Sequence, residues 1–234
     1  MRLYAIGDVH GRLDLLEAMH ARIAAEIAAD RPADWRIIHL GDYIDRGPQS
    51  SGVIDRLIHV GRDDPRNLCL AGNHDVGLLD FLAEPQEAAL FVRHGGVETA
   101  LSYGVGLGTE SVGELRRAHA RLVEAIPAAH LEFLRGLTYA LDFGDFFFCH
   151  AGIKPGVPLE QQSPQDLIWI RGEFHNAASL HPKVVVHGHT PVSTAELRPN
   201  RVNVDTGAYF SGRLTAFVVE GDEKRLIEVS EERR

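Results

Sequence analysis

The chain has 234 residues, 44% apolar and 24% charged, with a formal net charge of −9 at pH 7. That composition excludes disordered and fibrous classes, and the acidic balance argues against a nucleic-acid surface, which needs a basic face. No run of about 18 apolar residues is available to span a membrane. The length suits a single core, so residues 1–234 are expected to form one domain. Cys69 and Cys149 lie in apolar runs without zinc-type spacing. They read as core thiols of a soluble, cytoplasmic protein without a signal peptide.

In chain order, the short apolar run at 3–6 breaks into Gly7-Asp8-Val9-His10-Gly11. Residues 13–28 then carry Leu16, Met19, Ile23 and Ile27 at helical spacing. His20 lies in that helix and reads as surface or satisfied packing. The run at 37–40 leads into Gly41-Asp42-Tyr43-Ile44-Asp45-Arg46-Gly47, and Pro48 is expected to open a helix at about 49–60. The run at 68–71 leads into Gly72-Asn73-His74-Asp75. This first half alternates β-α-β-α-β, which predicts a parallel sheet with right-handed crossovers.

Residues from about 76 to 140 differ in character and are expected to be a helical insertion over the strand ends, where substrate selection would reside. Helices are expected at 76–82, 86–93, 112–126 and 128–136, with the Gly-rich stretch 95–108 as a loop. Its glycines do not form a dinucleotide fingerprint, because no strand precedes them. Arg93 and His94 read as part of a solvated loop. The second half is richer in strands, at 137–143, 145–149, 183–187, 201–205, 213–220 and 224–229, with Gly221-Asp222 as a hairpin signal. Two of these runs deliver His150-Ala151-Gly152 and Gly188-His189-Thr190. A second mixed sheet packed on the first follows.

Five apolar runs thus each end in Asp, Asn or His. Taken singly, an Asp after a strand is a turn former or helix cap, an Asn is a turn residue, and a histidine needs no special role. Together they form a hard-to-borderline donor set suited to Mn²⁺, Fe or Zn²⁺. Asp8, His10 and Asp42 are the expected ligands of a first ion. Asn73, His150 and His189 are the expected ligands of a second, with Asp42 bridging. Paired ions about 3.5–4 Å apart are a known arrangement for phosphate ester cleavage.

The set GDVHG, GDYIDRG, GNHD, HAG and GHT, spread over residues 7–190, resembles the five-motif signature of the calcineurin-like metallophosphoesterases. Asp45-Arg46-Gly47 is similar to the branch of phosphoprotein serine/threonine phosphatases and their bacterial relatives. The resemblance implies an α/β fold, a four-layer α-β-β-α sandwich of two packed mixed sheets. It also implies two divalent ions, Mn²⁺ foremost with Fe, Zn²⁺, Co²⁺ or Ni²⁺ as alternatives, and direct attack of a bridging hydroxide. By the same resemblance His74 is the general acid, Asp45 orients and charges it, and Arg46 and Arg171 clamp the phosphoryl group. The motif around Arg171 is loose, and a surface arginine is its alternative reading.

Two departures stand out. Pro191 follows Thr190, so the second histidine of the Gly-His-x-His form is missing, and His187 reads as a neighbour of the ligands or a core residue. The Ser-Ala-Pro-Asn-Tyr segment of eukaryotic relatives is also absent, and Asn203-Val204-Asp205-Thr206-Gly207 occupies the comparable region. His39, His59, His94, His119, His130, His175 and His181 have no partner at useful spacing and receive no role. The expected activity is that of a phosphomonoesterase acting on phosphoproteins. The alternative is a dinucleoside polyphosphate hydrolase like the symmetrical diadenosine tetraphosphatases, whose second motif usually lacks the Asp before Arg. A non-catalytic scaffold of the same fold would be expected to have lost ligands, and this chain retains them. The expected partner is a phosphorylated protein or small phosphate ester, with no nucleic acid and no membrane, and a monomer as the default state.

Overall fold

The computed structural model describes residues 1–85, 89–108 and 111–231. The first sheet has the order β10-β9-β1-β2-β3. Its parallel centre is β1 (Arg2–Ile6), β2 (Trp35–His39) and β3 (Asn67–Cys69), with Ile6 opposite His39 and His39 opposite Cys69. Helices α1 (Leu13–Asp30) and α2 (Ser50–Asp63) make the crossovers, as the alternating pattern predicts. The hairpin of β9 (Arg213–Glu220) and β10 (Glu223–Ser230) turns at Gly221-Asp222 and closes the other edge antiparallel to β1.

The second sheet runs β4-β5-β6-β8-β7. Its strands are β4 (Ala140–Phe143), β5 (Phe146–Cys149), β6 (Val184–His187), β7 (Glu196–Leu197) and β8 (Arg201–Asn203). Of these, β5, β6 and β8 are parallel.

Strand alternation decides the layers. In β1, Leu3 and Ala5 point inward and meet Phe146, Phe148, Val186 and Val202 of the second sheet. Tyr4 and Ile6 point outward and meet Leu15, Met19 and Ile23 of α1. In β5, Phe146 and Phe148 face the sheet interface while Phe147 and Cys149 face Leu167 and Phe174 outside. One alternating strand therefore serves two cores, each fully buried side chain contributing about 1.5–3 kcal/mol. The result is the expected sandwich of two mixed sheets between helical layers.

Between β3 and β4 the described residues form helices α3 (Asn73–Ala83), α4 (Ala89–Arg93), α5 (Gly96–Ser102), α6 (Val112–Ala125) and α7 (Ala128–Arg135). The expected helix at 86–93 begins in part outside the described residues, since 86–88 are not among them. Four expectations need correction. The stretch 95–108 is not all loop, because α5 forms there. Gly96 lets that helix seat against Phe91, where a Cβ would lie 2.3 Å from the Phe91 carbonyl oxygen, and Thr99 and Ala100 are buried. Tertiary contact thus overrides a weak local helix signal. Pro48 precedes the Gln49 cap of α2 instead of standing in its first turn. Arg93, exposed, ends α4 instead of lying in a loop. Strand β7 was not foreseen, its two residues being too few to carry a period. No helix among the described residues is long and apolar enough to cross a membrane.

Candidate active site

The carboxyl ends of parallel strands β1, β2 and β3 in one sheet, and β5 and β6 in the other, carry the five motifs. Each turn leaves the strand abruptly. Among the described residues six non-glycine positions adopt positive φ, and five of them are expected site residues: His10, Asp42, Asp45, Arg46 and His189, at φ of 45–69°. Backbone strain of about 1–3 kcal/mol at each is held there by its surroundings. Glycine supplies the close approaches. At Gly41 (φ 102°) a Cβ would lie 2.6 Å from the Gly72 nitrogen, so the second and third motif loops touch backbone to backbone.

Asp8, His10, Asp42, Asn73, His74, Asp45, His150 and His189 are all at most 5% exposed. Asp42 lies at the centre, its Oδ2 3.5 Å from His10 Nε2 and its Oδ1 3.4 Å from His150 Nε2. His150 Nε2 is in turn 3.0 Å from Asn73 Oδ1 and 3.1 Å from His189 Nδ1. Two triads, His10–Asp42–His74 and Asp42–His150–His189, have ligand atoms close enough to share an ion. Asp8 belongs to neither, and its carboxylate oxygens accept the His189 backbone N–H at 3.1 and 3.3 Å.

The hydrogen bonds reveal what this cluster is built to hold. His150 Nδ1 lies 2.9 Å from the Leu40 carbonyl and His10 Nδ1 2.7 Å from that of Ile44. A carbonyl only accepts, so each Nδ1 carries a proton, and a ring with no second proton turns its Nε2 lone pair inward. This is the backbone support typical of metal-binding histidines. At His150 the lone pair then faces the Asn73 and Asp42 oxygens. Acceptors facing acceptors are relieved by a positive centre, whether a proton on Nε2 or a cation. Within the protein alone, Asp42 supplies one resolution, overcoming burial to raise the His150 pKa to about 10; a divalent cation would satisfy all the donors together. His189 Nε2 is buried without a partner among the described residues.

The carboxylates give the same indication. Burial and then Asp205 push Asp8 well above the usual range, and burial raises Asp205 to about 6. His150 and His74 outweigh burial at Asp42 and hold it low. Burial lowers His10 to about 3 and His189 to about 2. The donor set therefore fits hard-to-borderline divalent ions.

Beside it, His74 Nδ1 lies 2.7 Å from Asp45 Oδ2. Burial alone would depress this imidazole, but Asp42 and then Asp45 raise its pKa. Arg46 spans the site, donating from Nη1 to His10 Nε2 and from Nη2 to His74 Nε2, each at 3.0 Å. Arg171 is exposed, and its charge acts on His189.

The structure adds four residues to which sequence reasoning assigned no role. Asp75, inside the third motif, accepts the amides of Asp42, Tyr43 and Gly72 at 2.8, 3.0 and 2.9 Å and ties two motif loops together. Thr99 Oγ1 accepts the Asp45 amide at 2.8 Å and donates to Asp45 Oδ1 at 2.7 Å. Tyr209 packs edge-on to His10 and carries the Arg46 guanidinium 4.8 Å from its ring centre. Asp205 follows β8, which ends beside the His187 strand. Only Asp75 and Asp205 had a sequence signal, in GNHD and in the noted 203–207 stretch. His187 is buried, its Nδ1 donating to the Gly188 carbonyl, which agrees with a core residue beside the ligands.

The family model for calcineurin-like phosphoesterases matches residues 1–217, and the chain belongs to that family. It is 28% identical over 229 residues to the asymmetrical bis(5'-nucleosyl)-tetraphosphatase PrpE of Bacillus velezensis, covering 91% of this chain and 86% of that protein. A protein of the same name from Anoxybacillus flavithermus is 28% identical, with 90% and 87% covered. Among solved structures, one assigned provisionally as a diadenosine tetraphosphatase is 21% identical, covers 98% of this chain and 93% of its own, and has a TM-score of 0.69. A cold-active protein-tyrosine phosphatase of a Shewanella species is 15% identical, with 98% and 80% covered and a TM-score of 0.64. At these identities the two structures speak for the fold alone.

Proposed function

We propose, starting from membership of the calcineurin-like phosphoesterases, that the chain hydrolyses a dinucleoside polyphosphate at a centre of two divalent cations. The observation that carries the chemistry is the convergence of His150, Asn73, His189 and Asp42 lone pairs beside a His74–Asp45 pair. For the substrate, the support is the name of the relatives matched over nine-tenths of the chain. This reverses the order expected from sequence, which put a phosphoprotein first on the strength of Asp45-Arg46. The phosphatase neighbours share only the fold.

In this reading His10 and Asp42 would hold one ion and Asn73, His150 and His189, with Asp42, the other; Asp8, expected at the first, would have to turn from the His189 amide to reach it. Mn²⁺ is the first ion to supply. Bound there, the ions would polarise phosphoryl oxygens and lower the pKa of water toward neutrality. The protein's own groups do the rest. The Arg46 donors now resting on two imidazole lone pairs pass to the stronger acceptor, a phosphoryl oxygen, as charge builds on it. That frees His74 Nε2 to carry a proton toward the departing oxygen, while Asp45 stabilises the imidazolium. Arg171, at the rim, meets a second oxygen. Water adds to one phosphorus, the P–O–P bond breaks, and a mononucleotide and a longer nucleotide depart.

The test is hydrolysis by metal-stripped protein after Mn²⁺ addition, with diadenosine tetraphosphate and a serine phosphopeptide side by side. Faster cleavage of the dinucleotide is expected. Faster phosphate release from the peptide would restore the phosphoprotein reading and leave the centre standing.

A further inference from the structure

A cavity of about 360 Å³ opens beside the centre, with Asn73, Val76, Asp80, Glu84, Leu90 and Trp169 in its wall. Its size falls in the range of small-molecule pockets. Two of these residues join it to the site. Asn73 is 3.0 Å from His150 Nε2, and the Trp169 ring stands edge-on to His189 with centroids 6.1 Å apart. A ligand with its phosphates at the metal groups is thus within reach of this cavity.

The wall has a definite chemistry. Trp169, half-buried at the end of the short helix α8 (Pro164–Trp169), lines it with an aromatic side chain. Val76 and Leu90 supply apolar sides. Asp80 and Glu84 lie one helical turn apart at the carboxyl end of α3, the Glu84 amide bonded to the Asp80 carbonyl at 2.8 Å. Both residues are exposed and line the cavity. Ionised carboxylates accept and cannot donate, and the negative end of the helix dipole adds to the demand for donors. An aromatic plane stacks any nucleobase; the two carboxylates, which only accept, select among the edges turned to them. Guanine presents N1–H and the exocyclic amine side by side, two donors on one edge. Adenine presents an amine beside N1, an acceptor that would face a carboxylate.

We infer that this cavity is a nucleobase subsite and that it prefers guanine, so that the favoured substrate is a guanosine-containing dinucleoside polyphosphate. The inference rests on the dinucleotide reading above and adds the base. One base stacks against Trp169, its donor edge turned to Asp80 and Glu84, and the polyphosphate runs past Asn73 to the centre.

The experiment compares kcat/KM for diguanosine tetraphosphate and diadenosine tetraphosphate, with p-nitrophenyl phosphate as a base-free reference. Wild-type protein should favour guanosine about tenfold, the lower end for hydrogen bonds to charged acceptors, since these carboxylates are solvated. The double variant Asp80→Asn, Glu84→Gln should bring the ratio to about one. Because the readout is a ratio on one preparation, a general loss of activity or folding cancels. A wild-type ratio of one or below, or a ratio unmoved by the double variant, overturns the guanine subsite and leaves the dinucleotide reading standing. If neither dinucleotide is cleaved while p-nitrophenyl phosphate is, the substrate reading itself fails and the subsite falls with it.

Discussion

Thr99 offers the sharpest test of how the insertion supports the centre. Its hydroxyl is fully buried and shared three ways: it accepts the Asp45 amide at 2.8 Å, donates to Asp45 Oδ1 at 2.7 Å, and lies 3.0 Å from Ser50 Oγ. Its single proton goes to the carboxylate, so Ser50 donates to it. Thr99→Val keeps the shape and removes all three contacts. The charge-assisted bond alone is worth about 1.5–3 kcal/mol. The Asp45 amide retains only the longer 3.2 Å bond to Ser50, and the Ser50 proton loses its acceptor. A loss of about 2–3 kcal/mol follows, or about 4–12 °C in Tm for a chain of this size. Burial already raises the Asp45 pKa, with the Thr99 bond opposing it, so its removal weakens the partner that charges His74. Turnover of alkyl phosphates should then fall while p-nitrophenyl phosphate, with its good leaving group, is nearly spared. Thr99→Ser should keep the leaving-group behaviour of the wild type. Thermal melts and the two-substrate comparison decide it. A Val variant melting within 1 °C of wild type, with an unchanged alkyl-to-aryl ratio, would refute the argument.

The acid role makes a related claim: His74→Asn should slow an alkyl phosphate about 100-fold or more and an aryl phosphate far less, and equal slowing rejects it. Mn²⁺ at about 100 times its Kd should raise Tm by about 5–10 °C for one site, and Asp42→Asn, which removes the shared carboxylate, should abolish the rise; an undiminished rise places the ion elsewhere. Gly41→Ala forces a Cβ to within 2.6 Å of the Gly72 nitrogen at φ 102°, so a loss of about 3 kcal/mol or more is expected in denaturant melts, and a neutral substitution contradicts the close approach. The fourth concerns pH. Arg56 Nε donates to His20 Nδ1 at 3.3 Å, His20 Nε2 to His39 Nε2 at 2.9 Å, and His39 Nδ1 to the Leu68 carbonyl at 3.2 Å. This chain is satisfied only when both rings are neutral. Burial lowers His20 to about 2 and His39 to about 4, below the unfolded value near 6.5. The stability is therefore full above pH 6.5 and declines as pH falls toward 4, by about 3 kcal/mol at pH 5.5 for the pair. Denaturant melts of His20→Gln, His39→Gln protein should show a shallower slope there, and a parallel slope counts against the pair.

Much of the fold was legible because strand alternation and motif placement are local. The residues that turn inward in β1 and β5 follow from period two, and the abrupt Gly-bracketed endings of five strands marked the site. What stayed hidden was non-local. Helix α5 lies in a stretch whose glycines suggest loop, and only its contact with Phe91 and Asp45 makes it a helix. The same docking gives Thr99 its partner 54 residues away.

Histidines show the division most clearly. His20 and His39 looked unpartnered in sequence, 19 residues apart, yet they bond because α1 packs on β2. By contrast, Asp8, His10, Asp42, Asn73, His74, His150 and His189 could be proposed from the chain alone, since each follows one of five strand ends. Sequence determined which donors exist and in which turns. The tertiary structure decided that Asp42 stands between two groups, that Asp8 turns to the His189 amide, that Arg46 rests on Tyr209, and that Trp169 walls a cavity beside Asn73. Those outcomes depend on the packing of one sheet against the other, a distance in space that no spacing along the chain encodes.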